Sequence, residues 1–227
     1  FTTIDTRINR SSLEQNDMIE NEFWNMISLL ELVLAHNKLE EPQSIHNISY
    51  FTEQIYKEVQ LNYPKLNISD EEIENVSKLA TIHDIGKLFT PYEILNKKGK
   101  LTKDEMDIIK KHPLNGANMA LKLPKCGKAS KLVQYAYNIC LYHHERYDGQ
   151  GYPKGLIGDE IPLCAQVVGL ADAYDALISE RPYKRKINHG EAVRMIVNGE
   201  CGSFSPKVIL SFIIASMNKT WIEKVSK

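Results

Sequence analysis

A chain of 227 residues can hold one large domain or two small ones, and it can bury a substantial hydrophobic core. A formal net charge of −1 argues against a dedicated nucleic-acid binder, because such proteins usually carry a strong basic excess. No apolar stretch approaches the roughly 18 residues that indicate a membrane span, and the four cysteines form no CxxC pair. We therefore expect a cytoplasmic globular protein with reduced thiols, no DNA partner and no membrane span in this chain.

The first predicted element is a helix over residues 13–37. Five of its apolar residues recur at alternating spacings of four and three, the heptad pattern of a helix-pairing stripe: Ile19, Phe23, Met26, Leu30 and Val33. The pattern leaves two interpretations open: a helix that dimerises or connects to an upstream domain, or an amphipathic helix packed on its own domain. We assign residues 1–38 to an N-terminal helix, linker or dimerisation segment, and residues 39–227 to the main domain.

Helical patterns continue along the rest of the chain. Capping boxes, in which Ser or Thr is followed three residues later by Glu, start two helices, at Ser69 and Thr102. Other predicted helices cover residues 44–61, 128–144, 163–177, 189–197 and 206–221. No sustained period-two alternation predicts a strand, so the predicted fold class is all-α. One long loop rich in glycine and proline separates residues 144 and 163.

The helix that starts after Ser69 carries chemically interesting residues near its end. His83, Asp84 and Lys87 continue the i, i+3, i+4, i+7 stripe of its inward face. We expect the helix to present these three side chains toward neighbouring elements, unless Gly86 ends it first.

Histidines and aspartates gather in three segments. His143 and His144 open the run HHERYDGQGYP, and adjacent imidazoles are unusual in a chain with seven histidines. Imidazole pairs suit divalent transition metals, and a glycine-rich turn lets backbone approach a ligand closely. His83 and Asp84 lie upstream, and Asp172 lies on an apolar helix, where a carboxylate is costly to bury unless it is paired or bound to metal. Together they predict a metal-dependent hydrolase, with an isolated salt bridge as the alternative for Asp172.

The order of several motifs resembles the HD-GYP branch of the HD-domain phosphohydrolases, over roughly residues 40–212. The HD pair alone would be weak evidence for the family, but several long motifs in the same order make a chance match very improbable. The segments are HDIGK (83–87), ILNKKGKLT (94–102), KKHP (110–113), HHERYDGQGYP (143–153), GLIGDEIP (155–162), ADAYDAL (171–177) and RPY (181–183). The resemblance implies an HD-domain helical bundle, preceded here by the N-terminal connector helix.

The resemblance also implies a two-metal centre. Its motifs assign seven ligands: His46, His83, Asp84, His112, His143, His144 and Asp172. Asp84 would link one metal, held with the ligands from the KKHP and HHE motifs, to a second. A set of imidazoles and carboxylates without thiolate favours iron, manganese or a similar ion over structural zinc. His36 and His189 are left over, and we interpret both as solvated or structural.

Some members of the family hold a third metal through a glutamate four residues before the first histidine. In this chain Pro42 stands at that position and cannot ligate, while Glu41 beside it is out of register. We therefore expect two metals rather than three.

The substrate implied by the resemblance is cyclic di-GMP. Lys87 would reach the metal-bound phosphate, and Tyr152 would line the pocket in a turn shaped by Gly151. Arg181 and Lys184 match positions that contact the nucleotide, where a guanidinium can bind phosphate or a guanine edge and an ammonium supplies a point charge. The alternative for residues 181–186 is a solvated basic loop.

The predicted activity is hydrolysis of cyclic di-GMP to pGpG, with GMP as the alternative end product and with Asp84 and Lys87 as the catalytic residues. Two alternatives are a receptor or scaffold without turnover and a phosphohydrolase acting on another nucleotide such as cyclic GMP-AMP. Expected partners are a second copy, bound through the N-terminal helix, and an upstream receiver or sensor domain. Asp175, one turn from Asp172, is expected to orient Lys87 or another group near the metals.

Overall fold

The computed structural model describes residues 2–37, 39, 42–125, 127, 129–179 and 186–225, with backbone only for residues 2–13 and 225. Within these ranges the chain forms α-helices and short 3₁₀ segments, and it contains no β-strand. The helices are α1 (Thr2–His36), α2 (Pro42–Asn62), α3 (Asp70–Leu79), α4 (Tyr92–Leu95), α5 (Lys103–Ile109), α6 (His112–Ala120), α7 (Ala129–Tyr142), α8 (Leu163–Ile178), α9 (His189–Val197), α10 (Pro206–Ser216) and α11 (Lys219–Val225). None of the helices in these ranges has the length and hydropathy that a bilayer crossing requires.

The all-α class predicted from the sequence is confirmed, and α9 has the predicted bounds. The single helix predicted over residues 206–221 is wrong, because α10 ends at Ser216 and α11 starts at Lys219. The short α4 is not predicted by the sequence pattern, since four residues are too few to show a helical period.

The hydrophobic core is centred on aromatic rings from α2, α8, α10 and α11. Phe51 packs against Tyr174 and Trp221, with ring centroids 5.0 and 4.6 Å apart, and Phe212 lies 5.2 Å from Tyr174. Trp221 Nε1 donates a hydrogen bond of 3.1 Å to the Tyr174 hydroxyl, so the buried indole keeps a polar partner. These contacts hold the C-terminal helix on the helices that lead to the functional site.

The N-terminal helix α1 packs on its own domain. Phe23, Ile27 and Leu34 are buried in the common core, and Leu30 is packed against it. Phe23 and Leu30 of the predicted stripe therefore face the domain, as the second of the two interpretations predicted, while Met26 is exposed. A second apolar stripe points outward, formed by Met18, Leu29 and Leu32.

The predicted capping boxes differ in outcome. The box at Thr102 is complete, because Thr102 Oγ1 accepts from Glu105 N at 3.2 Å and Glu105 Oε2 accepts from Thr102 N at 2.7 Å. At Ser69 only half forms: the hydroxyl accepts from Glu72 N at 3.1 Å. The Glu72 carboxylate turns away and accepts from the Tyr56 hydroxyl at 2.7 Å, which ties α3 to α2 instead.

The helix expected to carry His83, Asp84 and Lys87 ends earlier than predicted. α3 stops at Leu79, and two 3₁₀ segments follow, Ala80–Ile82 and Ile85–Phe89. The reason lies in Gly86, which packs against α6 so tightly that a Cβ atom would lie 1.9 Å from the carbonyl oxygen of His112. The tighter turns bring this backbone onto α6 and leave His83 and Asp84 between the two 3₁₀ segments.

We expect Gly86→Ala to lower the free energy of unfolding by about 3 kcal/mol, because the added methyl group would force two backbones apart. Chemical denaturation followed by circular dichroism measures the change. Gly190→Ala is the matched control, since a Cβ there meets no atom closer than 3.8 Å, and we expect it to leave stability nearly unchanged. Equal stability of the two variants would contradict the packing argument.

Candidate metal centre

Four candidate ligands converge on one point in the interior. They come from the turn after α3, the start of α6 and the end of α7, and their ligand atoms all lie within 4.8 Å of one another: Asp84, His112, His143 and His144. Asp84 Oδ1 lies 2.9 Å from His112 Nε2 and 3.7 Å from His143 Nε2. The sequence separates these residues widely, so the fold assembles the group.

Backbone hydrogen bonds orient three of the imidazole rings. Nδ1 of His83, His112 and His143 lies 2.9, 2.8 and 2.9 Å from a carbonyl oxygen three or four residues earlier in the chain. A carbonyl oxygen can only accept, so Nδ1 carries a proton in each ring, and Nε2 is the ring atom that can bind a metal once it is deprotonated. In each case Nε2 points toward Asp84.

Part of the second predicted ligand set lies beside the first. His83 Nε2 is 3.3 Å from Asp84 Oδ2 and 3.8 Å from Asp172 Oδ1, so Asp84 stands between the two groups as predicted for a bridging carboxylate. His46 is exposed on α2 and lies outside the four-residue cluster.

The charges around Asp84 favour its carboxylate form. Asp84 is only 5% exposed, and burial alone raises its pKa, but the charges of Lys87 and His83 outweigh burial and hold the pKa well below its usual value. Lys87 Nζ forms a close ion pair with Asp84 Oδ2. The catalytic pair predicted from the sequence is therefore in direct contact.

His83 and the paired histidines do not share one electrostatic environment. Burial lowers the pKa of His83, but the carboxylates of Asp84 and Asp172 outweigh burial and raise the pKa well above its usual value. For the paired histidines burial dominates and lowers the pKa of both His143 and His144. The pair is therefore neutral at pH 7, which is the form that a metal ion requires.

Two buried polar atoms at the centre fit a bound cation. Nε2 of His83 and Oδ1 of Asp84 lack a well-aligned hydrogen bond to any residue in the described ranges, although both lie within ion-pair distance of neighbours. Buried polar atoms rarely remain without a partner. Imidazole nitrogen and carboxylate oxygen are the donors that divalent transition metals take, so the residues present fit such an ion.

Glycines let other backbones press against the segments that carry ligands. A Cβ atom on Gly169 of α8 would lie 2.3 Å from the carbonyl oxygen of His143, a closer approach than any side chain allows. Gly86 makes the equivalent contact with His112. Direct backbone contacts thus fix the positions of α6 and of the end of α7 around the metal centre.

Tyr152 of the glycine-rich loop covers one side of the centre. Its ring stacks on His144 with centroids 4.7 Å apart and planes 26° apart, and its N–H donates to the His144 carbonyl at 3.2 Å. Lys110 Nζ lies over the Tyr152 ring, 5.3 Å from its centroid, within the range of a cation–π contact. Gly151 packs against the backbone, since a Cβ there would lie 2.3 Å from Arg146 N. Both loop residues therefore lie against the segment that carries the paired histidines.

A charged residue beside the paired histidines supports the site, and the sequence pattern assigned it no role. Arg146 donates from one guanidinium nitrogen to the carbonyl oxygens of His143, at 3.1 Å, and of Glu145, at 2.9 Å. Its guanidinium also lies over the Phe204 ring, 4.9 Å from the centroid. The sequence signal for this role is a charged residue between the paired histidines and the glycine-rich turn, but charged residues there are equally typical of a solvated loop.

Asp175 joins α8 to α2. Its carboxylate accepts hydrogen bonds from the Ser44 hydroxyl, from Asn47 Nδ2 at 2.8 Å and from the Ser179 hydroxyl at 3.1 Å. Burial raises its pKa. Ser44 and Asn47 flank His46 in the sequence, so Asp175 positions the helix that carries this histidine.

The two histidines that the motifs leave over, His36 and His189, lie outside the four-residue cluster. His36 is exposed at the end of α1, and His189 Nδ1 lies 2.7 Å from the Tyr174 hydroxyl, which agrees with solvated and structural roles. Glu41, Arg181 and Lys184 fall outside the residues that the structure describes.

Comparison with known proteins identifies the family. A sequence profile of the HD domain matches residues 31–208, which is more than half of the chain. The chain belongs to the HD-domain family. The match includes all seven predicted ligands, and the resemblance to the HD-GYP branch is confirmed.

Relatives of this HD-domain chain include named phosphodiesterases. A probable cyclic di-GMP phosphodiesterase of Vibrio cholerae is 44% identical over 152 residues, which cover 66% of this chain and 34% of the relative. A cyclic di-GMP phosphodiesterase of Thermotoga maritima is 31% identical over 194 residues, covering 86% of this chain and 50% of the relative. The chain thus spans between a third and a half of the length of these relatives.

A solved structure shares the fold. An HDG“Y”P protein from Bdellovibrio bacteriovorus superposes with a TM-score of 0.52 at 24% identity, covering 73% of this chain and 51% of that chain. The HD-domain helical bundle is therefore supported by a structure as well as by sequence.

We expect His143→Ala to weaken Mn²⁺ binding by at least about 100-fold. Removing only a residue that hydrogen-bonds to a metal ligand costs roughly 10–100-fold in metal affinity, and this variant removes the ligand itself. Isothermal titration calorimetry measures the affinity. His36→Ala removes an exposed imidazole at the end of α1 and should bind Mn²⁺ as tightly as the unchanged protein. Equal affinities for the two variants would mean that the cluster is not the metal site.

Proposed function

We propose that this chain is the catalytic domain of a metal-dependent phosphodiesterase that hydrolyses cyclic di-GMP to pGpG, with GMP as the alternative end product. The observation that carries the proposal is the convergence of Asp84, His112, His143 and His144 beside the Tyr152 ring. A polar cation-binding group next to an aromatic surface suits a substrate that combines phosphodiesters with planar bases. Relatives named as cyclic di-GMP phosphodiesterases support this substrate.

The proposed cofactors are two divalent ions, iron or manganese. Asp84 with His112 and the paired histidines would hold the first, and His46, His83 and Asp172 would complete the second with the same carboxylate. Ions bound there supply an activated water and stabilise negative charge on the phosphoryl group. The absence of thiolate among the ligands and the oxygen and nitrogen donors present support this choice of metal.

The residues around the centre take separate proposed roles. Lys87 lies against Asp84, so its ammonium could donate to a phosphate oxygen bound at a metal ion that this carboxylate would hold. Tyr152 would line the pocket beside the nucleotide, and Gly151 sets its backbone. Arg181 and Lys184 would bind phosphate or a guanine edge through their charges.

We expect Asp84→Ala to lower turnover of cyclic di-GMP by at least about 100-fold, comparable to removing one key electrostatic group from other active sites. The variant should also lose much of its metal content. Chromatography of products formed with iron, manganese and no added metal, combined with elemental analysis, gives both quantities. Asp107→Ala changes an exposed carboxylate on α5 and should behave as the unchanged protein.

Turnover retained with full metal loading in Asp84→Ala would overturn the proposed mechanism. Tight binding of cyclic di-GMP without any product would favour a receptor or scaffold. A panel that includes cyclic GMP-AMP separates the proposed substrate from the alternative nucleotide, since the favoured substrate has the higher kcat/KM.

We also propose that residues 1–38 act as a linker or dimerisation segment and residues 39–227 as the HD-GYP domain. The outward stripe of α1 supports a homodimer, because Met18, Leu29 and Leu32 are each more than half exposed on one helix face. An upstream receiver or sensor domain would transmit its signal through α1. A cytoplasmic location remains a prediction.

The outward stripe predicts a change of oligomeric state. We expect the double variant Leu29→Glu with Leu32→Glu to convert a dimer to a monomer, because buried carboxylates without partners oppose association. Light scattering coupled to size-exclusion chromatography measures the mass. Leu61→Glu is the matched control, an equally apolar exposed residue at the end of α2. A monomeric unchanged protein at all concentrations would contradict the homodimer.

A further inference from the structure

Glu145 is a buried carboxylate that does not face the metal cluster. The residue is only 4% exposed, and both of its carboxylate oxygens accept hydrogen bonds. Oε1 accepts from Lys154 N at 2.6 Å and Oε2 accepts from Leu156 N at 3.0 Å. A carboxylate that receives two backbone N–H groups from one loop fixes that loop relative to its own helix end.

The two bonds lie just beyond Tyr152 in the chain. On the near side of Tyr152, Gly151 presses against the Glu145–Arg146 backbone, and the Tyr152 N–H donates to the His144 carbonyl. On the far side, the Glu145 carboxylate holds Lys154 and Leu156. Tyr152 is therefore anchored at both ends by the segment that carries the paired histidines.

This anchoring reaches the metal cluster through the Tyr152 ring. The rings of His83, His112 and His143 are each oriented by a hydrogen bond from Nδ1 to a backbone carbonyl. Within the described ranges the His144 ring has no such bond, and its neighbours are rings: Tyr152 stacked at 4.7 Å, His143 at 4.1 Å and His112 at 4.9 Å. Of these three rings, Tyr152 is the one that is not itself a predicted metal ligand.

We propose that Glu145 is a positioning residue that holds Tyr152 against His144 and thereby orients this ligand and the adjoining pocket wall. The proposed effect of Glu145 on substrate binding rests on the proposed function. Its effect on His144 requires only that the cluster binds a divalent ion.

The chemistry explains why glutamate is needed. Glutamine keeps the length but has one acceptor oxygen, and its amide nitrogen would face a second N–H donor. Alanine leaves both loop N–H groups without a partner in a buried place. Glu145→Gln should therefore loosen the loop in part, and Glu145→Ala should loosen it fully.

Three measurements test the proposal on the whole chain. Hydrogen exchange of the Lys154 and Leu156 amides reports loop anchoring, and calorimetric titration with Mn²⁺ reports the orientation of His144. Steady-state kinetics with cyclic di-GMP separate KM from kcat. For Glu145→Gln we expect at least about tenfold faster exchange at these amides, about tenfold weaker Mn²⁺ binding and a larger rise in KM than fall in kcat.

Asp148→Asn is the matched control. Asp148 is an exposed carboxylate of the same loop whose Oδ1 accepts only a local turn bond from Gln150 N at 3.1 Å. We expect its exchange rates and Mn²⁺ affinity to match those of the unchanged protein. Thermal unfolding shows whether each variant is folded. If Glu145→Ala does not fold, Glu145→Gln alone carries the test.

A double variant separates positioning from general destabilisation. If Glu145 acts through the tyrosine ring, Tyr152→Ala combined with Glu145→Gln should bind Mn²⁺ no more weakly than Tyr152→Ala alone. Additive losses, or unchanged Mn²⁺ affinity in Glu145→Gln, would overturn the proposal. Because amide exchange and Mn²⁺ binding need no substrate, a protein that does not cleave cyclic di-GMP would refute the proposed function and still test the role of Glu145.

Discussion

The burial of one carboxylate is the constraint on which the rest of this structure depends. Asp84 is almost fully enclosed, and an enclosed charge is costly unless cations and hydrogen-bond donors surround it. Lys87, His83 and His112 meet this requirement and hold the pKa of Asp84 low. To supply these groups, the turn after α3, the start of α6 and the end of α7 must meet at one point, and the core packs around that junction.

The junction is held at two levels. At the level of side chains, carbonyl oxygens of the preceding helical turn fix the imidazole rings and leave their Nε2 atoms inward. At the level of backbone, Gly86, Gly151 and Gly169 remove the Cβ atoms that would separate neighbouring segments. Residues without chemistry of their own therefore set the distances between ligands, as expected where geometry must be precise before a metal binds.

The sequence predicted the cluster because ordered motifs identified its members, and it predicted the cap at Thr102 because that interaction is local. It missed the end of α3 at Leu79, since a 3₁₀ turn also brings residues i and i+3 to one face, so a few apolar residues do not distinguish it from an α-helix. It left two interpretations of α1 open, because two apolar stripes share the helix and only the packing of Phe23 and Ile27 shows which faces inward. The role of Glu145 depends on a loop conformation that no periodicity encodes.

The hydrogen bonds of Asp175 give the second proposed metal site a thermodynamic character of its own. Asp175 binds Ser44 and Asn47 on either side of His46, so docking of α2 on α8 and the position of that imidazole are one equilibrium. Linkage between two such events is reciprocal. If the proposed second ion is held by His46, it would stabilise the docked helix by the same free energy by which docking strengthens its binding, which would couple metal occupancy to the packing of the helix that follows α1.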